Sequence, residues 1–271
     1  MMIWKRNGGN NAKRIFICLC AVLAGLHLRY VVKAQQTDRV PPAATPPKAV
    51  WTPTAEAPKG ALSTALEGQH HDLFIDLAKK GDINLVFFGT TETEMWWWPD
   101  RGRSVWDREF GSLHAANFGS QGTQPDSLLW RMRNGELDGY QAKLVVWQTW
   151  GPNATPATGA SAIYGPIIAE IRARQPQARI LLMAPLPRGQ WDRDEWRKIS
   201  ADYAATFGGI VDNTTVFYTD ISERFYLSDG SHNQDMWRFP PKSGLENVGT
   251  QKSAYEVWAK ELQPWLDRFV R

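Results

Sequence analysis

The stretch Gly89-Thr90-Thr91-Glu92-Thr93-Glu94 closes an apolar run with hydroxyls and carboxylates side by side. A hydroxyl attacks an acyl carbonyl once a base removes its proton. Thr90 and Thr91 are candidate nucleophiles on that chemistry, with Glu92 or Glu94 as a carboxylate base. Two acids behind a strand also read as a solvated turn or as a charge pair at a helix N-terminus. Histidine is the commoner base, and beyond residue 34 the chain has His70, His71, His114 and His232. His70 and His71 fall on the first expected helix, away from the strand ends. His114 opens a strand and is expected at the opposite edge. His232 lies in a late loop, either solvated or able to swing inward. No His/Asp cluster has metal-ligand spacing, so neither a metal nor a cofactor is expected. Trp96, Trp97 and Trp98 follow at once, in a chain with 14 tryptophans. Three consecutive residues cannot all face one core, so at least one is expected at a cleft or surface. There an indole serves a protein partner, a saccharide or a membrane surface. Trp106, Trp130 and Trp258 read as packing residues.

These groups need a frame. Short apolar runs at 84–88 (NLVFF), 113–118 (LHAANF), 143–148 (KLVVWQ), 179–185 (RILLMAP) and 214–220 (TTVFYTD) read as five strands. Amphipathic segments at 61–81, 125–137, 160–175, 193–208 and 253–270 read as helices between and after them. Apolar strands alternating with helices imply a parallel sheet covered on both faces. Ligands in such folds bind beyond the carboxyl ends of the strands. The loops GTTETE, NFGSQG, TWGPN and 228–250 are therefore expected to converge on one rim.

The chain of 271 residues is 43% apolar and carries a formal charge of +3. Residues 1–34 hold six basic residues and no acid, which leaves the remainder at −3. The basic isoelectric point is thus a property of the N-terminus and no argument for nucleic acid. Both cysteines, Cys18 and Cys20, lie in the same N-terminal apolar run. The rest can form neither a disulfide framework nor a thiolate site, and it suits an oxidising compartment. The apolar run 15–28 is shorter than the roughly 20 residues that span a bilayer. With its basic flank it reads as an export signal, cleaved after Ala34 or kept as an anchor. Residues 35–60 are a Pro/Ala/Thr-rich tether, and 61–271 form the expected domain.

The segments GDINLVFFGT, AANFGSQGTQPDSLLWRMRNGELDG, KLVVWQTWGPN, IRARQPQARILLMAPLPRG and SDG…DM together resemble the SGNH, or GDSL-type, hydrolases. The resemblance is strongest to the catalytic subunits of the platelet-activating-factor acetylhydrolase Ib type. It implies a flavodoxin-like three-layer α/β/α sandwich with a five-stranded parallel sheet, and ester hydrolysis by a serine. Carried over by position, Gly89 matches the glycine of Gly-Asp-Ser, Thr90 falls on the aspartate and Thr91 on the serine. Gly122 matches an oxyanion-binding glycine, with Thr123 at a position often held by aspartate. Gly151 and Asn153 match Gly-x-Asn, whose asparagine is a second oxyanion donor. The final Asp-x-x-His has no counterpart. One register puts Arg238 and Pro241 there, the other Glu246 and Gly249, as if about eight residues were inserted.

An altered nucleophile without its base predicts an exported, membrane-proximal pseudoenzyme. Such a protein would serve as a binding or structural subunit of an envelope or membrane complex, in the bacterial periplasm or on the outer face of the inner membrane. Its protein partner would dock on Trp96, Trp97 and Trp98, and the membrane would be met through the N-terminal segment if that is uncleaved. An esterase using Thr91 with a relocated base, and a module binding acylated saccharide, are the alternatives.

Overall fold

A computed structural model describes residues 65–151, 160–187, 191–238 and 249–271. The expected leader and tether, and the positions Pro152, Asn153, Pro241 and Glu246, lie outside the described residues. Five parallel strands form one sheet: β1 (Leu85–Gly89), β2 (Ala115–Gly119), β3 (Leu144–Gln148), β4 (Arg179–Met183) and β5 (Val216–Thr219). Their spatial order is β2-β1-β3-β4-β5, so the edge strands are β2 and β5.

Alternate residues of each strand enter different cores, as the period of two requires. Val86, Phe88, Phe118, Val145, Trp147, Ile180 and Leu182 face one core. Helices α1 (Ala65–Lys79) and α5 (Ala160–Arg174) pack there with Phe74, Ala78, Tyr164, Ile167 and Ile171. The seven-residue helix α4 (Pro125–Arg131) adds Leu128, and α6 (Arg193–Phe207) adds Tyr203 and Phe207. Leu85, Phe87, Leu144, Val146, Leu181 and Phe217 face the other core. It is closed by α3 (Arg103–Glu109) and by α7 (Lys252–Phe269), whose Tyr255, Trp258, Leu262 and Leu266 recur at helical spacing. The result is a three-layer α/β/α sandwich, the expected fold.

Some local features differ from expectation. Strand β2 begins at Ala115, two residues late, because His114 adopts a left-handed conformation with φ 52° that interrupts extended backbone. A short antiparallel pair, β6 (Trp237–Arg238) with β7 (Gly249–Thr250), lies just before α7.

Candidate active site

The strand tips Gly89 and Gly119 are adjacent partners in the sheet. A four-residue helix, α2 (Thr91–Glu94), lies directly on them. A Cβ on Gly89 would stand 2.0 Å from Thr93 Oγ1, and one on Gly119 would stand 2.5 Å from the Glu94 nitrogen. Only glycine lets the turn sit this low. Asn117 fastens it from β2, donating from Nδ2 to the Thr93 carbonyl at 2.8 Å and accepting from Gly119 N–H at 2.9 Å. Tyr255 of α7 donates to the Glu92 carbonyl at 2.8 Å. Burial, and after it the Glu92 carboxylate, push that phenol well above its ordinary pKa, so it stays a neutral donor.

Thr91 is half-buried, and its hydroxyl has no hydrogen-bond partner among the described residues. The Glu92 carboxylate instead accepts from Thr90 Oγ1 at 3.0 Å. Glu92 and Glu94 are both buried, so they are not the solvated turn that the sequence suggested; they do occupy the first turn of α2.

The loop after β2 is braced from below. Thr123 donates from its hydroxyl to the Ser120 carbonyl at 2.7 Å, and its own carbonyl accepts from Trp150 Nε1 at 2.8 Å. Arg131 donates to Thr123 Oγ1 at 2.9 Å. The Arg131 guanidinium is fully buried and also bonds Glu136 at 2.7 and 3.0 Å, Glu67 at 3.3 Å and the Phe118 carbonyl at 2.7 Å. Its pKa is raised: burial opposes the charge, but Glu136 and then Glu67 outweigh it. His71 joins this group through Glu136 at 2.8 Å. Gly122, carried on the braced loop, has a positive φ of 80°. None of this support was visible in the sequence, because its bonded partners lie up to 65 residues apart.

Arg238 and Gly249, one from each register of the missing Asp-x-x-His, are direct partners in the β6–β7 pair. Gly249 has a φ of 93°, and a Cβ there would lie 3.8 Å from Met95 Cε and 4.0 Å from the Trp237 ring.

The histidines are distributed differently from expectation. His70 belongs at the rim. A helix that precedes β1 runs antiparallel to it, so the N-terminal half of α1 lies beside the carboxyl ends of the strands. His70 Nδ1 is 2.9 Å from Ser120 Oγ and 3.9 Å from Glu94 Oε2. His114 sits at the amino end of β2, exposed and paired with Asp82 at 2.7 Å. His232 packs on Tyr226 with ring centroids 5.4 Å apart, and its Nε2 lies 3.4 Å from the Pro187 carbonyl. It is half-buried rather than solvated, and desolvation lowers its pKa.

The tryptophan triplet divides. Trp96 is fully buried, with its ring against Tyr255 at 4.6 Å and against Phe110 and Trp258 at 5.3 Å. Trp97 and Trp98 are half-buried and line a cavity of about 520 Å³ between their rings and α1. Trp97 Nε1 donates to the Asn117 carbonyl at 3.3 Å, and Trp98 Nε1 to Glu94 Oε1 at 3.4 Å. Trp106 and Trp258 are buried and Trp130 half-buried against His71. Among the described residues no group of three or more His, Cys, Asp or Glu is placed to hold a metal ion.

No protein-family model matches the chain. Over 177 residues it is 30% identical to platelet-activating factor acetylhydrolase IB subunit alpha1 of Bos taurus, spanning 62% of this chain and 72% of that protein. Over 171 residues it is 31% identical to the alpha2 subunit of Rattus norvegicus, spanning 62% and 73%. A solved structure described as a platelet activating factor from Streptococcus pneumonia superposes with a TM-score of 0.57 at 15% identity, over 74% of this chain and 92% of that one. That likeness is one of fold.

Proposed function

The chain belongs to the SGNH, or GDSL-type, hydrolases, and within that family we propose that it is a pseudoenzyme whose rim serves binding. The observation that carries this reading is at Thr91. Its hydroxyl has no hydrogen-bond partner among the described residues, and the adjacent Glu92 carboxylate is bonded to Thr90 instead. Without a base an alcohol is a poor nucleophile near neutral pH. Loss of one member of a hydroxyl–base–carboxylate unit typically costs on the order of 10⁴ to 10⁶ in rate. Gly249 offers no side chain where one register needs the histidine.

The braced loop that carries Gly122 supports retention of a polar, shaped rim, and Trp97 and Trp98 supply aromatic surface beside it. Binding without turnover is what remains. The basic, apolar N-terminus and the proline-rich tether support a setting outside the cytoplasm, next to a membrane. There the protein acts as an accessory subunit, with a protein partner in an envelope complex. Among the described residues no helix is long and apolar enough to cross a membrane, so the N-terminal segment is the part assigned to membrane attachment if it is retained.

The test is direct. The purified full chain is incubated with short p-nitrophenyl esters and with a fluorophosphonate probe. Hydrolysis is expected at background rate, without labelling of Thr91. Turnover above about 1 s⁻¹, within the ordinary range for enzymes, that disappears in Thr91→Ala would overturn the reading.

A further inference from the structure

The cavity beside Trp97 and Trp98 contains a carboxylate that the fold leaves without a cation. Glu94 is buried, yet no lysine or arginine among the described residues pairs with it. Its Oε2 accepts the backbone N–H of Gln121 and its Oε1 accepts Trp98 Nε1 at 3.4 Å. Two N–H donors leave part of a carboxylate's accepting capacity unused. Buried charges are ordinarily paired. The remaining polar neighbour is His70, with Nδ1 3.9 Å away.

His70 lines the same cavity. A proton on Nδ1 would face Ser120 Oγ at 2.9 Å and the Glu94 carboxylate beyond it. That tautomer leaves the Nε2 lone pair as an acceptor, and Nε2 has no partner among the described residues. The other walls are Leu73, Phe74, Leu77, Trp97 and Trp98. Leu73 is 59% exposed, an apolar side chain held open to solvent at this wall. Asp76 and Lys80 also line the cavity, and Asp76 pairs with Lys79 at 3.9 Å.

From these residues we infer that the cavity binds a protonated alkylamine. The ammonium group would pair with Glu94, donate to His70 Nε2 and lie against the Trp98 indole, where a cation gains from the ring quadrupole; the Trp97 ring already carries the Arg103 guanidinium at 5.3 Å. Its alkyl chain would run along Leu73, Phe74 and Leu77. This inference deepens the binding role proposed above and rests on it, giving that role a ligand class. A volume of about 520 Å³ suits a small-molecule ligand.

The experiment is calorimetric titration of the full chain with hexylammonium chloride, hexanol and sodium hexanoate, three probes with one chain length and different heads. Hexylammonium is expected to bind at least about tenfold more tightly than either of the others, since each factor of ten is only one well-made polar contact. Glu94→Gln keeps an acceptor for Gln121 N–H and is expected to abolish the preference. Leu73→Arg, at the open wall, is expected to weaken hexylammonium more than hexanol. Equal binding of hexanol and hexylammonium to the unmodified chain, or a preference for hexanoate, overturns the inference whether or not the variants fold. Absence of binding by all three overturns it as well. Ester hydrolysis is followed on the same preparation. Turnover there would sink the pseudoenzyme reading whatever the amine does, whereas failed amine binding without turnover sinks only this inference.

Discussion

The 120–123 loop and the 90–94 turn leave neighbouring strands at the same rim, yet they are held in different ways. The loop stands on Arg131, a fully buried cation bonded to two buried carboxylates, a backbone carbonyl and Thr123. The turn is fastened by its backbone, through Asn117 and Tyr255, while the Thr91 hydroxyl bonds to no described residue. The difference follows from what each change would cost. Deleting one partner of a buried ion network strands the others in low dielectric. A reactive hydroxyl and its base at an open rim add little to stability, and active-site groups are often held at its expense. On the proposed reading, change at the rim is tolerated where change beneath it is not.

The largest effects are expected beneath the rim. Arg131→Met leaves Glu67 and Glu136 buried without their cation and should lower stability by about 3–5 kcal/mol. Trp96→Ala, which empties a fully buried ring site among Phe110, Tyr255 and Trp258, should cost a similar amount, about 3–5 kcal/mol. Urea unfolding followed by circular dichroism measures both. Trp98→Ala, at a half-buried ring, should lose clearly less. If Arg131→Met loses under about 1 kcal/mol, the range of an ordinary exposed pair, the contrast between loop and turn fails.

This contrast also marks what the sequence can disclose. Strands β1, β3 and β4 were legible almost to the residue because each is a continuous apolar run buried on both faces. The segment 91–97 was not legible as helix, since four residues are too few to show a period. Helix α3 is not legible either, because Val105 and Trp106 are the only buried residues of its seven and show no helical period. The fate of the tryptophan triplet was legible in part: three neighbours had to diverge, but which one turned inward depends on Phe110, Tyr255 and Trp258, which only folding brings near. The place of His70 at the rim depends on the direction of α1 relative to the sheet, which the local pattern of the helix does not carry. The burial of Arg131 is not legible, since a basic residue on an amphipathic helix ordinarily snorkels outward, and its partners Glu67 and Glu136 flank it from both directions in sequence.

A middle-sized effect tests how tightly the turn is seated. Gly119→Ala places a methyl group 2.5 Å from the Glu94 nitrogen and 2.6 Å from the Thr93 carbonyl carbon. These are backbone atoms and cannot swing aside. Overpacking of this kind costs about 1–3 kcal/mol, and the displaced turn should shift tryptophan emission through Trp97 and Trp98. A neutral outcome in both measurements would mean that α2 floats above the strand tips, and the fixed backbone of the turn would no longer contrast with the Thr91 hydroxyl.

An exposed polar network supplies the lower end of the scale. Asp212 accepts the N–H groups of Thr214, Thr215 and Val216 at 2.6–2.9 Å and pairs with Arg172 at 2.7 Å. Burial opposes its charge, but the N–H groups of Thr215, Val216 and Thr214 outweigh that and bring its pKa down to about 2. A depressed carboxyl pKa gives stability that is present above the ordinary value of 3.8 and is lost as pH falls through about 2. Asp212→Asn should thus melt below the parent at pH 6, with the gap closing between pH 4 and 2. The gap should be small, since solvent screens an exposed carboxylate. A gap as large as that of Arg131→Met would show that burial is not what separates the two networks.

The smallest effect is expected where chemistry would be restored. The triple variant Thr90→Asp, Thr91→Ser, Gly249→His rebuilds the hydroxyl, its neighbour and the base in the register that ends at Gly249. Space is not the obstacle, because a Cβ at 249 meets Met95 and Trp237 at ordinary contact distances. The backbone is: φ 93° at Gly249 lies where a side chain is strained. That strain acts on a residue paired with Arg238 and followed directly by Thr250 and α7. The hairpin would have to refold locally to turn an imidazole toward the serine hydroxyl introduced at position 91, and catalytic groups must be held to within about 0.5 Å of working geometry. Hydrolysis of p-nitrophenyl acetate is expected to stay at the background of the parent chain. A serine- and histidine-dependent rate, lost again when either single change is reverted, would show that the rim still holds catalytic geometry and that the turn is as well braced for chemistry as the loop beside it.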